Sequence, residues 1–295
     1  MALNPLKLSI LFFLLSVVNP FPSVEPRTLE PSKDTFTKTL RNLEGVHKGQ
    51  EAKGLVELKR YLEKYGYLTN TNSSNDNFDE NVESALKNYQ VFHHLPATGE
   101  VDAETIKTMS LPRCGLPDII TNPNANGLGS PENYSFFPGA PRWAKRALAY
   151  AHISSAAVSI SSNNVRQAMR SAQQKWAQVT DFTFTETGSL SVADIRYGFH
   201  RGPHGDGYPF DGPGRVLAHA FSPQDGRLHF DGDEPWSSSG SSGIDFESVC
   251  LHEMGHILGL GHSDFPDAVM FPTYAGERRD LSQDDINGIQ ALYGP

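Results

Sequence analysis

The chain has 295 residues, enough for one large domain or two smaller domains that each bury a core. Hydrophobic residues at 38% and charged residues at 20% are ordinary globular values, which exclude a chain that is disordered throughout. The formal net charge of -9, without a cluster of Lys and Arg, argues against nucleic acid as a partner.

The first element is an apolar stretch at the N-terminus. Lys7 precedes the run Leu8 to Val18, and a segment with Pro and Ser follows. The run is too short to span a bilayer, and its position favours a secretory signal over residues 1–22 rather than a buried core helix. We therefore expect a secreted, extracellular monomer without a membrane span, in the extracellular matrix, the apoplast or the cell wall.

Two further features bear on a secreted chain. Acceptor triplets for N-glycosylation stand at Asn72 and Asn133. The only cysteines are Cys114 and Cys250, so the core or bound metals must hold the chain together in place of a disulfide framework. Each cysteine therefore needs its own explanation.

Residues 50–110 carry three amphipathic helical patterns. The apolar positions are Leu55, Leu58, Leu62 and Tyr65, then Val82, Leu86, Tyr89 and Phe92, then Ile106 and Met109 after a cap at Asp102. These patterns predict a small three-helix domain. The break that follows, residues 117–141, is rich in Pro, Gly and Asn and is the best candidate for an exposed, cleavable linker.

The second half of the chain alternates strand-like and helical segments. Strands are predicted at 147–153, 182–185, 194–197, 217–221 and 228–231; helices are predicted from Asn163 or Asn164 to Val179, at 246–258 and at 282–293. Ser282 with Asp285 resembles a capping box at the start of the last helix. The predicted fold class is α+β with one mixed sheet.

The run HEMGHILGLGH carries the chemistry. His252 and His256 are four residues apart, which places them on one face of a helix where they can bind one metal ion together. Glu253 can act as a general base beside them without occupying a coordination position, and a sharp turn returns His262 as a third nitrogen ligand. Three protein ligands leave one position open for water, which is typical of catalytic zinc.

Histidines in isolation are more often satisfied surface or core residues, and a lone Met is usually part of a core. Met270, eight residues after the last proposed ligand, however resembles the Met-turn that lies beneath the zinc in metzincins. Together with PRCGLPD at residues 112–118, these motifs identify the chain as similar to a matrix metalloproteinase (matrixin) of the short plant type without a haemopexin domain.

The resemblance implies a specific division of the chain. Residues 1–22 are the signal, 23–133 a propeptide with a peptidoglycan-binding-like three-helix domain, and 134–295 a metzincin-like catalytic domain with a mixed twisted sheet and three helices. Cys114 is implied to be the cysteine switch, whose thiolate fills the open position of the catalytic zinc, with Arg113 paired to a carboxylate. Cys250 is interpreted as a buried, inert thiol.

A second metal cluster is predicted from three histidines and one aspartate, a set that closes a tetrahedral sphere and is typical of structural zinc. Its members are His204, Asp206, His219 and His229, and the resemblance supports the same four residues. The other histidines, among them His93, His94, His152 and His200, are interpreted as non-ligands.

At least one calcium ion is expected in the glycine-rich, acidic loop that lies between these ligands, although such residues also occur as plain acidic surface turns. The resemblance assigns calcium to Asp211, Asp231 and Glu234, with backbone carbonyls of Gly212, Gly214 and Val216. A second family calcium site would use Asp194 and a loop that is shorter here, at Ser222 to Arg227, so this site is in doubt.

The expected partners are protein or peptide substrates in extended conformation and an activating protease. The strand with Leu217 and Ala218 is expected to bind the substrate main chain as an added strand. By resemblance, Val249 and the segment Pro272 to Tyr274 line an apolar specificity pocket. The predicted function is a latent zinc endopeptidase; a secreted, non-catalytic zinc-containing binding protein is the alternative, against which the intact Glu253 argues.

Overall fold

The computed structural model describes residues 33–69, 74–120, 133–153, 158–240 and 242–294. The predicted signal at 1–22, the triplet residue Asn72 and residues 121–132 of the predicted linker lie outside these described residues. Within them, no helix is long and apolar enough to cross a membrane.

The N-terminal part is a small helical domain. It contains α1 (Lys33–Asn42), α2 (Leu55–Lys64), α3 (Glu80–Phe92) and α4 (Ala103–Met109). The three predicted helices are present, and the Asp102 carboxylate caps α4 by accepting a hydrogen bond from the Thr105 amide at 2.8 Å. The sequence analysis missed α1, which packs Phe36 and Leu40 into the same core.

The C-terminal part is a three-layer arrangement of sheet and helices. It contains β1 (Arg113–Cys114), β2 (Ala147–Ile153), α5 (Ser162–Ala177), β3 (Thr183–Glu186), β4 (Ile195–His200), β5 (Val216–Ala220), β6 (Arg227–Asp231), β7 (Trp236–Ser237), β8 (Ile244–Asp245), α6 (Phe246–Leu258) and α7 (Gln283–Tyr293). The main sheet has the order β1-β5-β6-β4-β2-β3. Only β5 and β6 pair antiparallel, so the α+β class with one mixed sheet is confirmed.

Helix boundaries follow from local capping. The capping box of Ser282 and Asp285 opens α7 as predicted. The predicted start of α5 at Asn163 or Asn164 is wrong, because Ser161 caps it by accepting a hydrogen bond from the Asn164 amide at 3.3 Å. A serine hydroxyl competes well with asparagine as an N-cap, so the sequence offered several equivalent starts.

Helix α6 is the centre of the C-terminal core. All of its residues except Glu247 are buried, as expected for a helix surrounded by protein. Trp176 of α5 packs against it, and the indole donates a hydrogen bond to the Leu251 carbonyl at 2.9 Å. This packing fixes the rotation of α6 and therefore the direction of the side chains that follow Leu251.

The short strand β1 joins the two parts of the chain. It pairs parallel with the edge of β5, where the Gly115 amide donates to the Ala218 carbonyl at 2.8 Å. On its other side, the Cys114 amide donates to the Pro272 carbonyl at 2.9 Å and the Tyr274 amide donates to Pro112 at 2.8 Å. The segment 112–115 thus lies between β5 and the segment 272–274.

Candidate active site and metal clusters

Four potential metal ligands converge at the end of α6. His252 and His256 lie one turn apart on this helix, and Gly259, with a φ of 109°, ends the helix so that the chain returns with His262. Cys114 approaches from the propeptide. The ligand atoms of these four buried residues lie within 4.8 Å of one another.

The chemistry of this donor set fits a bound cation. The Nδ1 atoms of His252 and His256 face the carbonyl oxygens of Val269 and Leu260 at 2.7 and 2.8 Å, so each Nδ1 must carry the hydrogen. Burial lowers the pKa of His252 to about 3 and that of His256 well below its usual range, so both rings are neutral. Their Nε2 lone pairs therefore face each other at 3.0 Å, an arrangement that needs a cation between them.

Glu253 and Cys114 lie beside this cluster. Burial raises the pKa of Glu253 to about 8, an effect that the nearby Cys114 thiol partly opposes. Burial and the nearby Glu253 carboxylate raise the pKa of the Cys114 thiol well above its usual range. A thiolate at this position therefore requires a metal ion next to it, because a bound dication reverses the preference of a buried thiol for its neutral form.

Met270 packs against Gly255, the residue before His256 in the histidine motif. It is buried, and a Cβ added to Gly255 would come within 2.2 Å of the Met270 sulfur and 3.0 Å of the Trp176 ring. Any larger residue at position 255 would push the methionine away from α6. The glycine inside the histidine motif is therefore a packing requirement.

The ion pair of Arg113 and Asp118 is the centre of a buried latch, by which we mean Tyr61, Tyr65, Tyr67, Arg113 and Asp118. The guanidinium donates to the Asp118 carboxylate and lies 3.4 Å from the centroid of the Tyr65 ring. The Tyr67 hydroxyl donates to Asp118 at 2.8 Å, and Arg113 donates to the Tyr61 hydroxyl at 3.3 Å. The latch ties the helical domain to the cysteine segment.

Asp118 also reaches the third histidine of the cluster. Its Oδ1 lies 3.0 Å from His262 Nδ1, without hydrogen-bond alignment. Burial works against the charged form, but Arg113 and His262 hold the pKa of Asp118 well below its usual range. The sequence analysis expected a carboxylate partner for Arg113 without identifying it; Asp118, five residues later in the same motif, was the available signal.

A pocket opens beside Glu253 and His252. Its enclosed volume is about 40 Å³. The residues predicted to line it, Val249 and Pro272 to Tyr274, do so, and the prediction missed Ser248, Val269, Phe271 and Arg278. Leu217, predicted with Ala218 to bind the substrate main chain, also lines the pocket, whereas Ala218 offers its backbone carbonyl to the segment after β1. The walls are mostly apolar, which suits burial of one substrate side chain.

The second predicted cluster is also assembled. One carboxylate oxygen, Asp206 Oδ2, lies 2.7 Å from His204 Nε2, 2.7 Å from His219 Nε2 and 2.8 Å from His229 Nδ1. Burial lowers the pKa of His229 to about 4, so this ring is neutral at ordinary pH. Three nitrogen donors around one carboxylate oxygen form a closed set without a position for substrate, which fits structural zinc.

The predicted calcium loop contains a buried carboxylate that suits a cation. Asp231 Oδ2 is buried and has no hydrogen-bond partner among the described residues. Burial raises the pKa of Asp231 to about 7, and the charges of Asp233 and Asp211 add to this shift. Glu234 accepts a hydrogen bond from the Gly214 amide at 2.6 Å, and Asp211 accepts one from the Val216 amide at 3.1 Å.

The residues of the doubtful second calcium site are engaged with basic side chains. Asp194 lies 2.8 Å from the Lys145 ammonium and accepts a hydrogen bond from the Ala149 amide. Asp225 accepts two hydrogen bonds from Arg227, at 2.7 and 2.8 Å. These ion pairs would compete with calcium at this position.

Two remaining predicted residues lie where their interpretation requires. Cys250 is fully buried on a different face of α6 from the cluster, and burial raises the pKa of its thiol well above the usual range. Asn133 is exposed, as a glycosylation acceptor must be. The adjacent Ser135 donates to the His262 carbonyl at 2.6 Å, so the chain at 133–136 already packs beside the cluster.

Comparison with known proteins assigns two parts of the chain to family models. Residues 142–294 match the family model described as matrixin, and residues 51–109 match a putative peptidoglycan binding domain. The chain is 41% identical to Metalloendoproteinase 5-MMP of Arabidopsis thaliana, over 99% of this chain and 87% of that protein. It is 43% identical to Metalloendoproteinase 1 of Glycine max, over 84% of each, and 41% identical to human Matrilysin, over 83% of this chain and 89% of that protein.

Proposed function

This chain belongs to the matrixin family of zinc metalloendopeptidases, which use catalytic and structural zinc together with calcium, and we propose that it is the secreted, latent precursor of such an enzyme. The observation that carries the proposal is the position of Cys114. Its Sγ lies 3.5 Å from His256 Nε2, inside the cluster of three imidazoles. A thiolate there leaves no coordination position for water, so the precursor is inactive.

The proposed ligands of the catalytic zinc are His252, His256 and His262, and a bound zinc ion supplies a Lewis acid for the scissile carbonyl and an activated water. Glu253 is the proposed general base. Its raised pKa allows it to accept a proton near neutral pH and then to donate that proton to the departing amine. His204, Asp206, His219 and His229 are proposed to hold the structural zinc, and the loop with Asp211, Asp231 and Glu234 is proposed to hold calcium.

Substrate binding is proposed to reuse the backbone groups that β1 occupies. The carbonyls of Ala218 and Pro272, and the Tyr274 amide, bond to the propeptide in the latent form. An extended peptide of a protein substrate would take these bonds as an added strand, and one side chain would enter the pocket beside Glu253. The propeptide therefore blocks both the metal position and the main-chain binding site.

Latency is tested by exchanging each cysteine for serine in the full chain. Cys114→Ser is expected to be active or self-processing as made, because a neutral hydroxyl is a far poorer zinc ligand than a thiolate. Cys250→Ser is the matched control and should stay latent until a mercurial or cleavage in the linker activates it. The measurement is hydrolysis of a generic protein before and after activation, with N-terminal sequencing expected to give a start near Tyr134 to Phe137.

Two results would contradict the proposal in different ways. If the Cys114→Ser chain stays fully latent with an intact propeptide, latency is caused by steric blockade from the helical domain and not by coordination of the zinc. An activated wild-type chain that cleaves no protein, despite a full zinc content, would favour the secreted binding protein.

A further inference from the structure

A fourth imidazole, outside the proposed ligand set, packs against the structural cluster. It belongs to His200, the last residue of β4. Its ring centroid lies 4.8 Å from the His204 ring, with an angle of 23° between the planes, and 4.4 Å from the His229 ring. The rings of His204 and His229 are themselves 5.0 Å apart, so His200 lies as close to both ligands as they lie to each other.

The register of the sheet explains this position. Gly198 of β4 pairs with His229 of β6, and His200 lies two residues further along β4. Residues two apart in a strand point to the same face, so His229, Gly198 and His200 share a face. Gly198 has no side chain at this register position, and the His200 ring lies 4.4 Å from the His229 ring.

The His200 ring contributes no hydrogen bond through its Nε2 atom. This atom is buried and has no partner among the described residues. A buried polar atom without a partner costs free energy, so the ring must be held by its stacking contacts.

We propose that His200 is a positioning residue that covers the structural metal site and slows loss of its ion. A metal leaves such a site only after one ligand ring turns away from it, and the His200 ring occupies the space into which His204 or His229 would turn. The inference rests on the proposed assignment of this cluster as a zinc site. The chain should hold the ion longer than the four ligands alone would allow.

The test is the rate of zinc release from the full-length latent chain to an excess of a chromophoric chelator. Two release phases are expected in the wild type, and His204→Ala identifies the structural phase by removing it. His200→Ala should accelerate the structural phase by about tenfold or more, because changes behind metal ligands typically cost about 10-fold to 100-fold in affinity. His200→Phe keeps a flat ring and should release zinc at nearly the wild-type rate.

His152→Ala is the matched control. His152 also has a buried Nε2 atom without a partner, but its ring stacks on Tyr197 at 5.0 Å and not on a metal ligand. This variant should leave both release phases unchanged. The catalytic phase should be the same in every variant, and circular dichroism should show the same helix content.

Three results would overturn the inference. Release of the structural zinc from His200→Ala at the wild-type rate would overturn it, and so would release from His200→Phe as fast as from His200→Ala. A wild-type chain with a single zinc ion would overturn the structural cluster itself, and this inference with it. That last result would leave the proposed latency untouched, since Cys114 and Glu253 belong to the other cluster.

Discussion

The two histidine clusters of this chain use the same ligand type and are built in opposite ways. The structural cluster draws its four members from one stretch of 26 residues, His204 to His229, and closes around a single carboxylate oxygen. The catalytic cluster takes three members from α6 and the following turn, and its fourth from a segment 138 residues earlier than His252. A ligand supplied by a separate domain can be withdrawn, and this difference separates a permanent site from a switchable one.

The largest effect on activity is expected from replacing Glu253, because the comparison assigns a carboxylate that acts as a base to the catalytic cluster alone. Glu253→Gln removes the proton acceptor and should lower the rate of peptide hydrolysis by about 10²-fold to 10⁴-fold. Both zinc ions should stay bound, because the carboxylate is not a proposed ligand. The measurement is the hydrolysis rate after mercurial activation, together with zinc analysis.

Glu247→Gln on the same helix is the control for this change. Glu247 lies 3.0 Å from the Lys175 ammonium, on the one position of α6 that is not buried, and its loss should leave the hydrolysis rate near the wild-type value. Near-normal hydrolysis by Glu253→Gln would rule out this residue as the base.

A smaller effect is expected at the latch, which holds the withdrawable ligand in place. Tyr67→Phe deletes the 2.8 Å hydrogen bond to the Asp118 carboxylate. A hydrogen bond to a charged group contributes about 1.5–3 kcal/mol, and about 1.4 kcal/mol corresponds to a tenfold change in an equilibrium. Cys114 in the latent chain should therefore react with a thiol reagent about tenfold faster.

Tyr208→Phe serves as the control for the latch, because Tyr208 is an exposed tyrosine of the catalytic domain. Its labelling rate should equal that of the wild type. If Tyr67→Phe also reacts at the wild-type rate, the helical domain does not hold the cysteine segment through Asp118.

The smallest expected effect concerns the calcium loop beside the permanent cluster. Burial raises the pKa of Asp231 to about 7, so ionising this carboxyl destabilises the calcium-free fold. A carboxyl group whose pKa is raised by folding contributes its full stabilisation when the pH is below its pKa in the unfolded chain, near 4. That contribution is lost as the pH rises through its pKa in the folded chain, about 7. Calcium offsets the loss. The melting temperature of the calcium-bound chain should thus exceed that of the calcium-free chain by a margin that grows between pH 5.5 and 7.5.

The difference in melting temperature should amount to about 2–4 °C for each kcal/mol that calcium adds to the free energy of unfolding, as is usual for a domain of this size. Zinc-saturated samples with and without a calcium-selective chelator provide the comparison. Asp231→Asn cannot ionise and should show a margin that does not change with pH; a constant margin in the wild type would exclude Asp231 as the titrating group.

The sequence predicted the fold well where the local signals were complete. Helix α6 has the predicted bounds, 246–258, because its cap at Asp245 and the glycine at 259 are both local signals. Helix α1 was not predicted, although Phe36, Leu40 and Leu43 follow a helical spacing, because this short helix lies outside the segment 50–110 where three such patterns follow one another. Strand β1 could not be predicted, because two residues form a strand only by pairing with β5, about 100 residues later.

The candidate site divides in the same way. The spacing of His252, Glu253 and His256 on one helix was sufficient to place them together. Asp118 was within reach, because it lies five residues after Arg113 in the same motif. Tyr67 and Arg278 were not, because their positions depend on how the helical domain docks and how the chain turns after Tyr274. Contacts between distant segments produce no periodic pattern of residues in the sequence. The latch and the inner wall of the pocket could therefore be identified only from the structure.

The pairing of β1 with β5 has a consequence for how the activated enzyme behaves on storage at high concentration. In the latent form proposed above, the segment 113–115 covers the edge of β5 and donates hydrogen bonds to the carbonyls of Arg215 and Ala218. Cleavage in the linker and departure of the propeptide uncover a strand edge, which is a template for pairing with any extended chain, including a second copy of the enzyme. The precursor should therefore be the form that tolerates concentration and storage, whereas the mature enzyme should associate or digest itself unless substrate or an inhibitor covers that edge.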